Sequence, residues 1–499
     1  MKTIGRDFGD TARKVYAVAS GALGNGKAVI VNSDGTVTKV QIVSSSVSAS
    51  TGSTSTFESA RCDSMDATYD TVRDRIFIVF RDSANSNYGT GVVGTVSGTS
   101  ISFGTPVVFN SANSSFMRTG FSTQDIDGNS HNKCIIIYRD AGNSGYGNAI
   151  GATIAADDSV AFTSENQWSN NEAVEEIDLA MDTSDSAFGV ITYKSSSDDQ
   201  GNAQVLGVSS SSLNSYTHSA FNAQETNSSS IAYDASLNKF IIAYSDGGSS
   251  DRGEAVIATR SSTSLSYTGT TTFDSGSSGK YASSIRVTGD GSGTIVIGYQ
   301  NYASSNRPHI IAATTDGSSF SFGSRVSCNS EGSSEVNTVD YNPDTGKYTY
   351  AFGTDTGPGK YVIATLSGTT ISISSVVQFE NGNVQDGLQV GVAYTEGGQQ
   401  VFCFADAQTA GKAFILQGAY TKNTPNLTSE NYIGITPSAY PDGAAVEIQT
   451  KGAVNEEQSG LTAGQSYYVQ TDGTLSTTAG DPSVFAGTAV SATKIIVKG

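Results

Sequence analysis

Arginine, tyrosine and aspartate side chains recur in a series of polar segments that each follow a short apolar run. On exposed loops these residue types make adaptable polar and stacking contacts, as antibody loops do. The candidate binding residues are Arg81, Tyr88, Arg139, Tyr146, Asp251, Arg252, Tyr302 and Arg307. The alternative is that Tyr88 and Tyr146 only brace their loops, because tyrosine tends to bury its ring.

A second set of residues could support catalysis. A sialidase-like glycoside hydrolase needs clustered arginines and a paired acid and nucleophile. Near the starts of the repeated units described below, the sequence has Arg61, Arg118, Arg286, Asp66, Asp178 and Asp340. The segment Thr315–Phe320 resembles part of a sialidase turn, but an ordinary Asp-Gly hairpin explains it equally well. Nothing in the sequence places the six residues together, and so we expect no enzyme.

Metal and cofactor chemistry has weaker signals. Asp125-Ile-Asp127-Gly-Asn129 begins like a calcium loop, but the twelfth position is Ile136, where a bidentate Glu is needed. The three histidines are far apart, and none has zinc-ligand spacing with a cysteine. The sequence also lacks a phosphate loop and a Gly-x-Ser-x-Gly elbow. We therefore predict no metal and no cofactor.

The elements that position these residues follow from a repeat of about 50 residues. Its second strand ends each time in an aromatic residue: Phe80, Tyr138, Tyr193, Tyr244, Tyr299, Phe352 and Phe404. A third strand follows after a polar loop, at 92–96, 149–154, 203–207, 255–259, 310–314, 361–365 and 413–417. Short β-branched or aromatic runs bounded by turn residues indicate antiparallel strands.

The fourth strand of the repeat indicates how the series of repeats closes on itself. It ends near Phe109, Trp168, Phe221, Phe273, Cys328 and Phe379, which is one too few. Residues 51–57, ahead of the first repeat, match the pattern of the missing strand. The sequence therefore predicts an all-β fold, a seven-bladed β-propeller over residues 51–420 that is closed by an N-terminal strand. Two stacked β-sandwiches would not explain the spare strand.

The predicted order of the strands assigns the loops to two faces. Loops from second to third strands emerge on one face, together with those from fourth to first strands. The chain would enter and leave the propeller on the opposite face. We expect a small β-rich base domain there, built from both termini (1–50 and 421–499), which would leave the second-to-third loops free to bind.

Composition narrows the class of protein. Glycine accounts for 55 of 499 residues, the apolar fraction is 37%, and the formal net charge is −19. Such acidity argues against nucleic acid as a partner. No apolar run of about 18 residues exists, so we expect no membrane insertion. The N-terminus lacks the apolar core of a secretory signal, which predicts synthesis in the cytoplasm.

The four cysteines show no paired spacing, and we expect buried, reduced thiols. The Ser-, Gly- and Thr-rich, lysine-poor composition is typical of an exposed or secreted β protein. A virion component released by lysis combines these features with cytoplasmic synthesis.

The two terminal segments resemble each other. Residues 23–37 align without a gap on 461–475, with an Asp-Gly hairpin turn at Asp34-Gly35 and at Asp472-Gly473. The C-terminal segments 432–452, 459–478 and 486–498 resemble a module of tail-fibre and other virion structural proteins of marine tailed phages, above all of the cyanophage type. Residues 18–37 are similar to a shorter module in the same proteins.

This resemblance covers about a quarter of the chain and implies a structural virion protein. The expected function is a tail fibre that contacts a host-surface glycan or outer-membrane component through the propeller loops. Other virion proteins are the implied partners, and a homotrimer is the implied assembly. The alternatives are a purely architectural virion part, such as a tail nozzle or capsid decoration, and a sialidase-like glycoside hydrolase.

Overall fold

The computed structural model of the protein describes residues 13–249, 252–275, 282–354, 357–382, 384, 391–406 and 409–498. The chain forms two compact units, one of residues 48–420 and one that combines 1–47 with 421–499. Within the described ranges both units are all-β, with antiparallel sheets and no α-helix. Short 3-10 turns occur at Ala141–Asn143, Gly247–Ser249 and Tyr302–Ser304.

Residues 48–420 contain four kinds of strand in a recurring order. The first strands are Cys62–Asp70, Val107–Gln124, Val174–Met181, Ser219–Asp234, Ala282–Gly289, Ser333–Asn342 and Gly391–Thr395. The second strands are Arg75–Asp82, Ser130–Asp140, Phe188–Ser195, Lys239–Asp246, Thr294–Asn301, Lys347–Thr354 and Gln399–Asp406. The third strands are Tyr88–Ser97, Tyr146–Ile154, Gln200–Val208, Arg252–Ser261, Arg307–Thr315, Gly359–Ser367 and Ala410–Gln417. We number the repeats 1 to 7 in this order.

The fourth strand of most repeats is interrupted. Its pieces are Ser100–Phe103, Val160–Phe162 with Asn166–Gln167, Leu213–Ser215, Ser264–Asp274, Phe320–Phe322 with Val326–Ser327, and Thr370–Ile373 with Val377–Glu380. The long strands Val107–Gln124 and Ser219–Asp234 each serve two repeats. Each pairs through its N-terminal part with the third strand of the preceding repeat, and then with the second strand of its own repeat.

The last repeat takes its fourth strand from the N-terminal side of the chain, as predicted. Thr51 pairs with Leu416, and Ser55 pairs with Ala413. The strands that do this are Ser50–Thr51 and Ser55–Glu58. First strands of successive repeats contact each other along the series, and the strand Gly391–Thr395 also contacts Cys62–Asp70. One hydrophobic cluster contains side chains of repeats 1, 6 and 7.

An aromatic contact joins neighbouring repeats. The aromatic residue at the end of a fourth strand packs on the second-strand aromatic of the next repeat, with ring centroids 5.1–5.4 Å apart. The pairs are Phe57–Phe80, Phe109–Tyr138, Trp168–Tyr193, Phe221–Tyr244, Phe273–Tyr299 and Phe379–Phe404. Between repeats 5 and 6 the buried Cys328 shares a cluster with Phe352 instead. The fourth-strand residues are those that the sequence predicted.

A third-strand glycine makes room for each of these rings. A Cβ atom on Gly147 would lie 2.3 Å from the ring of Trp168, and one on Gly411 would lie 2.4 Å from the ring of Phe57. Gly89, Gly201, Gly253 and Gly359 meet their rings in the same way. Real Cβ atoms do not approach so closely, and so glycine is required at these positions for steric reasons.

The remaining unit joins both termini in shared sheets. One sheet contains Lys14–Val18, Ala445–Gln449, Tyr432–Ile435, Ala28–Val31 and Val37–Lys39, and another contains Val454–Asn455, Lys494–Val497, Val484–Ser491, Ser466–Val469 and Leu475–Ser476. The strands Ile42–Val47 and Tyr420–Pro425 form a separate ribbon. A hydrophobic core that includes Ile30, Ile435, Val469 and Ile495 spans the two larger sheets.

The two hairpins that resemble each other in sequence have the same register. Val29 pairs with Gly434 as Tyr467 pairs with Gly487, and a bulge follows in both pairs of strands. Gly434 and Gly487 have φ of 152° and 155°. A Cβ on either glycine would lie 2.1 Å from a backbone oxygen of the adjacent strand. The sequence repeat is therefore a structural repeat.

We predict that Gly411→Ala destabilises the protein by about 1–3 kcal/mol or more, because the added methyl group overlaps the Phe57 ring. The matched control is Gly104→Ala, since the nearest atom to a Cβ there, apart from those of adjacent residues, is the Val93 carbonyl oxygen, at an ordinary 3.7 Å. Denaturant unfolding of both variants and the parent protein measures the difference. Equal losses for the two variants would contradict the steric role assigned to Gly411.

Candidate functional site

Four of the predicted binding residues occupy one equivalent position. Tyr88, Tyr146, Arg252 and Arg307 each open a third strand and pair with the last residue of the second strand. Their partners are Asp82, Asp140, Asp246 and Asn301. The four residues therefore lie at the same edge of repeats 1, 2, 4 and 5.

The residue that ends the second strand also shapes the loop. Asp140 Oδ1 accepts from the backbone N–H groups of Gly142 and Asn143, at 2.9 and 3.2 Å. Asn301 Oδ1 accepts from Ser304 N at 2.8 Å. Asp82 and Asp246 make equivalent contacts with their own loops. Because Asp and Asn side chains cap turns in this way, these loops have a common base and differ at their tips.

The predicted arginines have different environments. Arg81 forms a bidentate ion pair with buried Asp63, at 2.5 and 2.6 Å. Arg139 packs its guanidinium against Gly145, and its Nε is buried without a hydrogen-bond partner among the described residues. Arg252 and Arg307 are exposed. Arg81 thus stabilises its repeat, whereas Arg252 and Arg307 are available to a partner.

The predicted tyrosines are less accessible than Arg252 and Arg307. Tyr88 and Tyr146 are half-buried, and so is Tyr302, which opens a short 3-10 turn. Asp251 lies outside the described residues.

Five of the six residues considered for catalysis line a single cavity of about 410 Å³. They are Asp66, Arg118, Asp178, Arg286 and Asp340. We call this space the first-strand cavity, since its walls are the first strands of the repeats. The sixth residue, Arg61, lies elsewhere, with a side chain that is 52% exposed and 4.0 Å from Asp63.

Four of the lining residues are equivalent in register. Asp66, Arg118, Asp178 and Arg286 each pair with the residue that precedes the second-strand aromatic. Ser230 and Thr338 occupy this position in repeats 4 and 6. A register shift precedes each of the four charged residues. It includes a residue with positive φ, namely Ser64, Phe116, Glu176 or Ser284. Such bulges redirect the side chains that follow them.

Hydrogen bonds between these positions connect successive repeats. Asp66 Oδ2 accepts from Thr119 N at 2.9 Å, and Asp178 Oδ2 accepts from Ile231 N at 3.0 Å. Ser230 Oγ accepts from Val287 N at 3.1 Å and donates to Asp178 Oδ2 at 2.7 Å. A polar side chain in one repeat thus binds the backbone of the next.

The two arginines of the cavity differ in their partners. Arg118 Nε donates to Asp178 Oδ1 at 3.0 Å, and both side chains are largely buried. Arg286 Nη1 donates to the carbonyl oxygen of Ile285 at 2.8 Å and forms no ion pair with a carboxylate that the structure describes. Burial, and then the charge of Arg118, lower the pKa of Arg286 to about 10.

Asp66 and Asp340 are half-buried residues that line the cavity. Burial raises the pKa of each to about 6. The charge of Arg118 and the Thr119 N–H oppose this rise at Asp66, while a 2.8 Å hydrogen bond from Gln400 Nε2 opposes it at Asp340. Glu176, close to both arginines, also has a pKa raised by burial.

The first-strand cavity therefore combines guanidinium donors with carboxyl acceptors at partly desolvated positions. Residues with perturbed pKa values in a concave site are candidates for function. The sequence contains a signal for them. Each charged residue lies inside a run that is otherwise apolar or small, as in Met65-Asp66-Ala67 and Ile285-Arg286-Val287.

Other motifs from the sequence have structural roles. Asp125 Oδ1 accepts from the N–H groups of Asp127 and Asn129, both at 3.0 Å, and so forms an acidic turn. All four cysteines are buried and unpaired. Among the described residues no group of three or more His, Cys, Asp or Glu side chains is arranged to hold a metal ion. The same residues include no helix with the length and apolarity to cross a bilayer.

No protein-family model matches the chain, and no curated protein sequence matches it. A protein of unknown function from Dyadobacter fermentans DSM 18053 is 11% identical over 75% of this chain and 99% of its own, with a TM-score of 0.41. AofleA from Arthrobotrys oligospora is 8% identical over 84% and 94%, with a TM-score of 0.42. Chaetomium thermophilum Sqt1, solved with the N-terminus of ribosomal protein L10, is 9% identical over 73% and 99%, with a TM-score of 0.44. These likenesses carry no argument about function.

We predict that Asp340→Asn stabilises the protein at pH 7 and changes its pH dependence. The raised pKa of Asp340 means that the folded state loses stability as this group ionises, between its ordinary value of 3.8 and about 6. Asparagine can still accept from Gln400 and carries no charge. The expected gain is on the order of 1–3 kcal/mol at pH 7 and falls to about 0.5 kcal/mol at pH 4.

Denaturant unfolding at pH values from 4 to 7 measures this gain. The control is Asp127→Asn, which removes an exposed carboxylate and should leave the difference between pH 4 and pH 7 unchanged. A variant that is no more stable than the parent protein at pH 7 would show that ionised Asp340 has no stability cost.

Proposed function

We propose that residues 48–420 form a closed seven-bladed β-propeller in which each repeat is one blade. Three observations support this proposal. The strands Ser50–Thr51 and Ser55–Glu58 complete the last repeat. The first strand of repeat 1 contacts the first strand of repeat 7. The Phe57–Phe80 contact continues the series of aromatic pairs. Closure leaves no long unpaired strand edge, which prevents edge-to-edge aggregation.

We further propose that the chain is a structural virion protein of a tailed bacteriophage, and specifically a tail fibre that attaches to the host surface. The terminal segments support the virion assignment through their sequence resemblance to phage modules. The attachment role is supported by the loops between second and third strands, which share an Asp or Asn cap but have different residues at one register position. A rigid scaffold with variable polar tips is typical of recognition surfaces.

The chemistry of the loop edge indicates the partner. Arg252 and Arg307 are exposed cations on a chain with a net charge of −19. Half-buried Tyr88 and Tyr146 at the same register add aromatic surface. Guanidinium and aromatic groups together suit a glycan that carries carboxylate or phosphate groups. The proposed partners are such a host glycan or an outer-membrane component, other virion proteins, and further copies in a homotrimer.

The first-strand cavity favours a second candidate, a sialidase-like glycoside hydrolase. Two arginines and three aspartates line it, and Asp66 and Asp340 have pKa values near 6. A carboxyl group with a raised pKa suits a general acid. Incubation with host polysaccharide distinguishes the candidates, because an enzyme releases reducing sugar and an attachment protein does not.

We predict that the double variant Arg252→Ser, Arg307→Ser binds host cells at least tenfold more weakly than the parent protein, because two exposed cations on the proposed contact edge are lost. Labelled protein and flow cytometry measure the binding. The control is Arg73→Ser, which removes an exposed arginine from a turn between a first and a second strand, at the other edge of the repeats.

Host-surface polysaccharide should compete with the parent protein for the cells. Equal binding by the double variant would exclude these arginines from the contact. A parent protein that does not decorate host cells would favour a purely architectural part such as a nozzle or a capsid decoration.

A further inference from the structure

We propose that the first-strand cavity binds a small hydroxylated carboxylic acid, such as an acidic monosaccharide, and that Arg286 pairs with the ligand's carboxylate. This inference does not rest on the proposed attachment function. Three features support it: the different partners of the equivalent residues Arg118 and Arg286, the hydrogen-bond acceptors around them, and the volume of the first-strand cavity.

Arg118 and Arg286 occupy the same register position in repeats 2 and 5. Both turn back to donate through Nη1 to the carbonyl oxygen of the preceding residue, at 2.7 and 2.8 Å. The backbone therefore orients both guanidinium groups in the same way.

The next repeat supplies a carboxylate ion-pair partner, among the described residues, to only one of these two arginines. After Arg118, the equivalent residue in repeat 3 is Asp178, whose carboxylate lies 3.0 Å from Arg118 Nε. After Arg286, the equivalent residue in repeat 6 is Thr338. No described carboxylate forms an ion pair with Arg286, and a ligand carboxylate would fill the place that Asp178 fills for Arg118. Charge-assisted pairing between guanidinium and carboxylate is strong and geometrically specific.

The remaining polar groups suit hydroxyl groups. Asp66 accepts a hydrogen bond from the Thr119 backbone N–H, and Asp340 accepts one from the Gln400 side chain. A carboxylate can accept about four hydrogen bonds, and so both aspartates have further acceptor capacity in the cavity that they line. Apolar Met181 and Val287 line the same cavity and suit the C–H face of a sugar ring. Its volume of about 410 Å³ lies in the range of small-molecule sites.

Charge in the cavity predicts how binding depends on pH. Facing Arg286 are Asp66, Asp178, Asp340 and Glu176, together with Arg118. Asp66 and Asp340 become neutral as pH falls through about 6, while Arg286 keeps its charge. Repulsion of a carboxylate ligand therefore decreases, and its affinity should rise between pH 7 and pH 5.

The probe is D-glucuronate, with neutral D-glucose as its control, titrated by calorimetry into the full-length protein at pH 5 and pH 7. We expect a dissociation constant on the order of 1 mM or tighter at pH 5, and at least tenfold weaker binding of D-glucose. Arg286→Gln should lose at least tenfold in affinity for D-glucuronate. Arg73→Gln, which removes an exposed arginine from the turn between the first and second strands of repeat 1, should bind as the parent protein does.

A second variant keeps the test decisive if Arg286→Gln does not fold. Thr338→Asp supplies Arg286 with a carboxylate from the chain itself, as Asp178 does for Arg118, and should abolish D-glucuronate binding while Arg286 is retained. Thermal melting confirms the folded state of each variant.

Three results would each overturn the proposal. They are binding of D-glucuronate weaker than about 10 mM, equal affinity for D-glucose, and undiminished binding by folded Arg286→Gln or Thr338→Asp. None of these results changes the expected loss of host binding in the loop variants, and so the two hypotheses fail separately.

Discussion

The contact between a glycine, a fourth-strand ring and the next repeat's aromatic residue is the constraint on which the rest of this structure depends. Offset and edge-to-face aromatic pairs contribute about 0.5–1.5 kcal/mol beyond the area that they bury. Here they lie at the boundary between two repeats and hold each repeat against its neighbour. The glycine is necessary because the ring lies directly over the third strand, where a Cβ atom would stand.

The one exception supports this reading. In repeat 5 the third strand has Pro308 where the others have glycine, and Cys328 takes the place of the ring. Cys328 N donates to the Pro308 carbonyl oxygen at 2.8 Å, so the backbone course is kept while the side chain becomes smaller. Cys328 is 2% exposed and shares its cluster with Tyr350 and Phe352.

The same constraint explains which features the sequence could predict. A buried aromatic residue must end the second strand and another aromatic residue must end the fourth, so both recur at regular intervals in the sequence. Phe57 fits the fourth-strand pattern, and it therefore identifies the N-terminal segment as the missing fourth strand. The register of the first strands was not predictable in this way. Their bulges use Ser64, Phe116, Glu176 and Ser284 with positive φ, rather than glycine. Since L-residues rarely adopt this conformation, nothing in the sequence marks these positions, and the convergence of Asp66, Arg118, Asp178 and Arg286 emerges only from the structure.

The terminal unit shows how a large domain can be inserted without loss of a smaller one. Residues 454–498 contain one complete copy of the hairpin module, whereas the equivalent copy takes its hairpin from 28–39 and its partner strands from 432–449. Residues 48–420 therefore interrupt one of two related modules. The ribbon of Ile42–Val47 and Tyr420–Pro425 brings the two points of interruption side by side. Insertion is tolerated where the two chain ends are close, because the interrupted module then keeps its strand register. Here the pairing of Val29 with Gly434 in the interrupted module is equivalent to the pairing of Tyr467 with Gly487 in the complete one.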